Sequence, residues 1–241
     1  MDLSIYMAFT GAELKEMQNY HGKTAWLGCH LSAYGRSLSP LPASLSYCDM
    51  LVLSDETPPD SHDPLQIAEE FVAQANSLGC EKVLLDFQRP PTAESAEIVM
   101  QVLKSASIPV GVTENYAEAV SCPVFLPPPP LWVPLEEYIA PWKGREIWLE
   151  TAPEGGCITL KENGSYYRTC DPSGEYPFAD KKLHLSYRTE ISDSCVNIYL
   201  SRAPSLLKHW LELASRLGIH TAVGLYQLTQ QAHLHSSEIM V

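Results

Sequence analysis

Short apolar runs punctuate the chain, separated by polar turns or by segments whose apolar residues recur at three and four. Residues 3–9, 24–31, 50–54, 82–88, 109–113, 124–126, 146–150, 183–187, 196–200 and 221–226 form the runs that read as strands. Several are apolar throughout rather than alternating, the pattern of parallel strands covered on both faces. Between them, Leu65, Ala68, Phe71, Val72, Ala75 and Leu78 recur at helical spacing over 64–78. Asp63 is placed to cap that helix, Pro64 to start it and Gly79 to stop it. A second helix is expected over 93–106, capped by Thr92, with Ile98, Val99, Val102 and Leu103 on one face. A third spans 204–217, carries Leu206, Leu207, Trp210, Leu211 and Leu213, and closes at Gly218.

Strand, helix and strand in alternation imply right-handed crossovers and a largely parallel sheet. With this many strands in 241 residues, a (β/α)8 barrel of the TIM type is favoured over an open doubly wound sheet. No glycine-rich nucleotide-binding loop follows any strand, which removes the main argument for the open sheet. The segment 155–169 breaks the alternation, because strand-like residues flank Lys161-Glu162-Asn163-Gly164 and Asn-Gly is a strong hairpin turn. The expectation is an α/β chain, one barrel domain over 1–241 with a β-hairpin inserted near 155–170. The four prolines 127–130 make the loop 122–132 a stiff, extended segment.

Composition supplies the material for a core, with 45% hydrophobic and 19% charged residues. Sixteen Lys plus Arg against 29 Asp plus Glu give a net charge of −13, which repels phosphate backbones and anionic lipid surfaces. Neither nucleic acid nor membrane is expected as a partner. No run approaches the ~18 apolar residues of a membrane span. Residues 1–17 carry no Lys or Arg before Lys15, so no signal peptide is read there and a cytoplasmic protein is expected. Seven cysteines without a CxxC pair read as small buried thiols, although Cys157 and Cys170 are placed to face each other across the hairpin. His62-Asp63 reads as helix-entry chemistry and His233-Leu234-His235 as tail, so no metal or cofactor is expected.

Chemistry in such a barrel sits at the C-terminal ends of the strands. The polar residues there are His30 and Ser32, then Ser54, Asp55 and Glu56, then Asp86, Gln88 and Arg89, then Glu114 and Asn115, then Glu150, and finally Tyr226 and Gln227. Carboxylates stand at four of these six ends, and two brought together can have their pKa values pushed apart to serve as acid and base. Asp86 stands out because it interrupts Val83-Leu84-Leu85-Asp86-Phe87-Gln88, a run otherwise fit for burial, where a charge needs a partner or a task. In an alternating strand Leu84, Asp86 and Gln88 share the face that lines the interior and its mouth. Arg89 is available as an ion-pair partner. Cys29 and His30 point to opposite faces, and no GxSxG motif occurs, so a nucleophilic dyad is not indicated.

The stretch Leu85-Asp86-Phe87-Gln88-Arg89-Pro90, on the fourth strand, resembles the end of the family 18 glycosidase motif. In that family an Asp, an aromatic residue and a catalytic Glu close strand four, often followed by a residue and Pro. The resemblance implies a TIM barrel of enzymes that hydrolyse β-1,4-linked N-acetylglucosamine polymers with help from the substrate's acetamido group. Here the catalytic Glu position holds Gln88, and an amide cannot act as a general acid. The earlier acidic positions fall on Glu81 and Leu84, so the second is absent.

The resemblance therefore implies a pocket that binds a carbohydrate or similar polyhydroxylated ligand, with hydrolytic activity altered or lost. Asp86 and Glu114 are the candidate catalytic residues. His30, Asp55, Glu56, Gln88, Arg89, Tyr226 and Gln227 are the candidate ligand contacts. Trp26, Trp132, Trp142 and Trp148 could stack on sugar rings, whereas Trp210 lies on a helix face and reads as core. Two other readings stay open. One is a barrel enzyme acting on another small metabolite through Asp86, Glu114 or Glu56. The other is a non-catalytic interaction scaffold presenting the hairpin and the proline loop, with Tyr166 and Tyr167 as a possible homodimer contact.

Overall fold

Eight parallel strands alternate inward and outward residues around one enclosed core, and the outward face of each is covered by helix or loop. The computed structural model describes residues 3–32, 38–57, 62–171 and 174–225. In chain order the elements are β1 (Ser4–Phe9), α1 (Leu14–Gln18), β2 (Lys23–His30), β3 (Met50–Ser54), α2 (Pro64–Ser77), β4 (Lys82–Asp86) and α3 (Ala93–Ser105). There follow β5 (Val110–Thr113), α4 (Glu114–Ala117), β6 (Val124–Leu126), α5 (Leu135–Ile139) and β7 (Ile147–Thr151). The strands β8 (Glu154–Lys161), β9 (Gly164–Thr169), β10 (Phe178–Asp180), β11 (Leu185–Ile191) and β12 (Val196–Arg202) come before α6 (Pro204–Arg216) and β13 (Thr221–Leu225). Strands β1 to β7 and β13 close a barrel in the order β1-β13-β7-β6-β5-β4-β3-β2, every pair parallel. This is the (β/α)8 architecture that the alternation predicts.

The helices form where the sequence places their signals. The Asp63 carboxylate accepts the amides of Leu65 and Gln66 at 3.0 and 3.4 Å, and Gly79 ends the helix with φ 69°. Thr92 caps α3 in a reciprocal box with Ser95.

Inward-facing residues Tyr6, Ala8, Ala25, Met50, Val52, Leu84, Phe125, Trp148 and Val223 fill the barrel. Trp148 reaches across to β5, where Gly111 leaves room that any Cβ would take from its ring. The indole N–H donates to Glu146 at 2.8 Å and Lys82 lies 5.0 Å from the ring, so this side chain plugs the N-terminal end. At the same end Glu81 accepts from the Tyr6 hydroxyl and pairs with Lys23. Outward residues such as Leu51, Leu53, Val83 and Leu85 pack against Phe71, Ile98, Val102 and Trp210 of the helices.

The inserted hairpin is present as β8 and β9, antiparallel, with Lys161 opposite Gly164. It is one edge of a larger unit, because β10-β11-β12-β8-β9 form a five-stranded antiparallel sheet. The runs at 183–187 and 196–200, which read as further strands of the main alternation, belong to this sheet. These runs carry polar residues, with His184 and Ser186 in 183–187 and Asn197 in 196–200, and β12 pairs antiparallel with β8, which follows β7 after only two residues, so it does not join the parallel barrel. Leu185 and Leu200 pack with Leu131 of the proline loop, which ties the sheet to the loop that follows β6.

Candidate functional site

The barrel mouth collects carboxylates because β4 and β7 each end their inward-facing row on one. Leu84 and then Asp86 point inward on β4, and Trp148 and then Glu150 on β7. The Gln88 side-chain amide donates to Asp86 Oδ1. Burial pushes the Asp86 carboxyl above its ordinary range, the Gln88 hydrogen bond partly offsets this, and the charge on Asp55 adds to it.

Asp55 is 3% exposed and works on the backbone. Its Oδ1 accepts the Gln88 amide at 2.8 Å and its Oδ2 the Arg89 amide at 2.9 Å. Arg89 donates in return to the carbonyls of Asp55 and Glu56, at 2.9 and 2.8 Å. The two residues thus tie the loop after β3 to the loop after β4, and set where Gln88 sits. His30 Nδ1 lies 2.6 Å from Ser54 Oγ and 3.9 Å from Glu56, whose side chain is largely exposed. Glu114 is exposed at the start of α4. Tyr226 and Gln227 lie outside the described residues.

Glu150 is the residue that the strand-end inventory names without a role. It is half-buried, and burial together with the charges of Asp86 and Glu154 pushes its carboxyl up to about 7. Glu154 begins β8, directly opposite Arg202 on β12, and the two side chains pair at 2.5 Å. Arg202 is 1% exposed, with its guanidinium 5.0 Å from the ring of Trp210. Burial raises the Glu154 carboxyl while the Arg202 charge pulls it down. Tyr138 of α5 sits among these acids. Burial, then the charges of Glu114, Glu150 and Glu154, push its phenol up to about 12. Its hydroxyl donates to the Pro127 carbonyl at 3.0 Å.

The four tryptophans separate by burial. Trp26 lies in the layer between barrel and helices and Trp148 in the barrel plug, so neither offers a free face. Trp142 packs on the outer core beside Arg145. Trp132, on the proline loop, is 45% exposed and meets Tyr167 of β9 edge to face at 4.6 Å. Tyr167 in turn lies over Gly156, where a Cβ would overlap its ring. The inserted sheet therefore brings an aromatic edge and the Glu154–Arg202 pair to the β7 side of the mouth.

Among the described residues no three His, Cys, Asp or Glu side chains gather as a metal site. His62 is buried against the Ser32 carbonyl at 3.0 Å. Cys157 stands opposite Arg168 rather than Cys170, and both are free thiols. Among the described residues no helix is long and apolar enough to cross a membrane.

No family model matches the sequence, and no curated protein matches it. Solved structures do resemble it. A class V chitinase from Nicotiana tobaccum superposes with TM-score 0.66 at 10% identity, covering 100% of this chain and 99% of the other. The spore cortex-lytic enzyme SleL of Bacillus cereus gives 0.65 at 11% identity, over 99% of this chain and 75% of that one. The GH18 chitinase of Cycas revoluta in complex with (GlcNAc)3 gives 0.60 at 9% identity, over 98% of both chains. The fold is that of the family 18 glycosidase barrels.

Proposed function

We propose that the mouth of this barrel binds an oligosaccharide containing N-acetylglucosamine, in a glycosidase-like site whose hydrolytic chemistry differs from that of the family it resembles. The observation that carries the reading is the Asp86–Gln88 pair, held at the end of β4 by Asp55. A desolvated carboxyl beside an amide offers an acceptor and a donor to sugar hydroxyl or acetamido groups. Trp132 and Tyr167 supply apolar ring surface at the rim, suited to pyranose faces. The barrel type and the Cycas revoluta complex with (GlcNAc)3 point to the same ligand class. Gln88 makes the usual proton donor unavailable, so turnover, where present, must draw its proton from elsewhere.

A thermal-shift screen against mono- and oligosaccharides tests the reading, since a ligand that binds only the folded state raises the melting temperature. A rise with N-acetylglucosamine oligomers that disappears in Asp86→Ala is the expected result. No rise with any sugar overturns it.

A further inference from the structure

Each carboxylate around the mouth has a defined environment, and all but one are engaged or exposed. Asp55 spends both oxygens on the backbone amides of Gln88 and Arg89. Asp86 is held by the Gln88 amide. Glu154 is committed to Arg202. Glu56 and Glu114 stand in solvent. Glu150 differs, because it is half-buried at an inward-facing position of β7 and, among the described residues, makes no hydrogen bond or ion pair.

We propose that Glu150 is the proton donor for glycoside cleavage in this barrel, a catalytic residue placed on β7 in the part that Gln88 cannot play on β4. This rests on the carbohydrate reading above and extends it to a reaction. In the step, the bond between the anomeric carbon and the leaving oxygen breaks, its electron pair goes to that oxygen, and the Glu150 carboxyl gives the oxygen its proton. Water then adds at the anomeric carbon and returns a proton to the Glu150 carboxylate, so the donor is regenerated and the net change is hydrolysis. Asp86, facing the same opening from β4, stabilises the positive charge that develops on the sugar.

The surroundings suit a donor. Among the described residues the charged groups that act on Glu150 are Asp86 from β4 and Glu154 from β8, with Tyr138 of α5 near Glu150, Glu154 and Glu114 of α4, and Arg202 of β12 paired with Glu154. Among the described residues the charges acting on Glu150 are therefore negative and Arg202 is already paired with Glu154, so the carboxyl holds its proton to higher pH than a Glu in water does.

The test compares wild type and Glu150→Gln on two substrates: the N-acetylglucosamine tetramer, whose leaving sugar needs a proton, and a dinitrophenyl N-acetylglucosaminide, whose leaving group does not. Thermal melts check that the variant folds, and calorimetric titration with the tetramer checks that it binds. The expected result is a loss of roughly 100-fold or more in kcat on the tetramer, the usual worth of a general acid, with less than about 10-fold lost on the aryl glycoside and binding retained. Equal losses on both substrates, or none on either, overturn the assignment. Wild-type binding of the tetramer without turnover overturns Glu150 alone and leaves the carbohydrate reading standing. Absence of binding in the wild type overturns both.

Discussion

Asp55 holds Gln88 by its backbone, accepting its amide at 2.8 Å on one carboxylate oxygen while the other takes the amide of Arg89. A side chain buried to 3% exposure at the end of one strand thereby sets the loop of the next. Asp55→Ala leaves both amides without this acceptor, and hydrogen bonds to charged groups contribute about 1.5–3 kcal/mol each. The variant should lose on the order of 3 kcal/mol in a urea titration, and sugar binding should fall with it. A denaturation midpoint equal to wild type would show that the loops hold together without Asp55.

Glu150 makes stability depend on pH. Its carboxyl is raised in the folded state from 4.5 to about 7, by burial first and then by Asp86 and Glu154. Between those values the unfolded chain has lost the proton while the folded protein keeps it, so stability falls as pH rises. The contribution is complete below about 4.5, is lost through about 7, and amounts to something on the order of 3 kcal/mol. Asp86 and Glu154 are raised too, so they slope the same way. Urea midpoints at about pH 5 and about pH 8 should therefore differ less in Glu150→Gln than in wild type. Equal pH slopes in the two proteins would place the titration elsewhere.

Trp148 and Gly111 share one volume in the barrel plug, since a methyl on Gly111 would overlap the indole ring. Overpacking of this kind costs about 1–3 kcal/mol. Gly111→Ala should destabilise by that amount, and adding Trp148→Phe, which withdraws ring atoms from the overlap, should recover part of it. Strictly additive losses in the double-mutant cycle would mean that the two residues do not interact.

The barrel was legible in the sequence because parallel strands covered on both faces need continuous apolar residues, and several of the runs have them. The inserted sheet was legible only at its Asn163-Gly164 turn. The segments at 183–187 and 196–200 read as strands too, but Leu183-His184-Leu185-Ser186-Tyr187 alternates, the pattern of an antiparallel sheet with one solvated face, while the pairing partner itself is not carried by sequence. Asp86 was visible as a charge ending an apolar run. Glu150 ends Ile147-Trp148-Leu149-Glu150 in the same way, yet its environment depends on Tyr138 and Glu154, which fold over it from α5 and the inserted sheet. Asp55 looked like a free strand-end carboxylate because its partners are backbone amides 33 and 34 residues away.

Calorimetric titration of the N-acetylglucosamine tetramer into wild type and Asp86→Ala at one pH measures the central claim most directly. Saturable binding in the wild type, weakened at least about tenfold in the variant, is the result expected when a desolvated carboxyl hydrogen-bonded to ligand is removed. No heat of binding in the wild type, or equal affinity in a folded Asp86→Ala, would contradict a carbohydrate site at the mouth of this barrel.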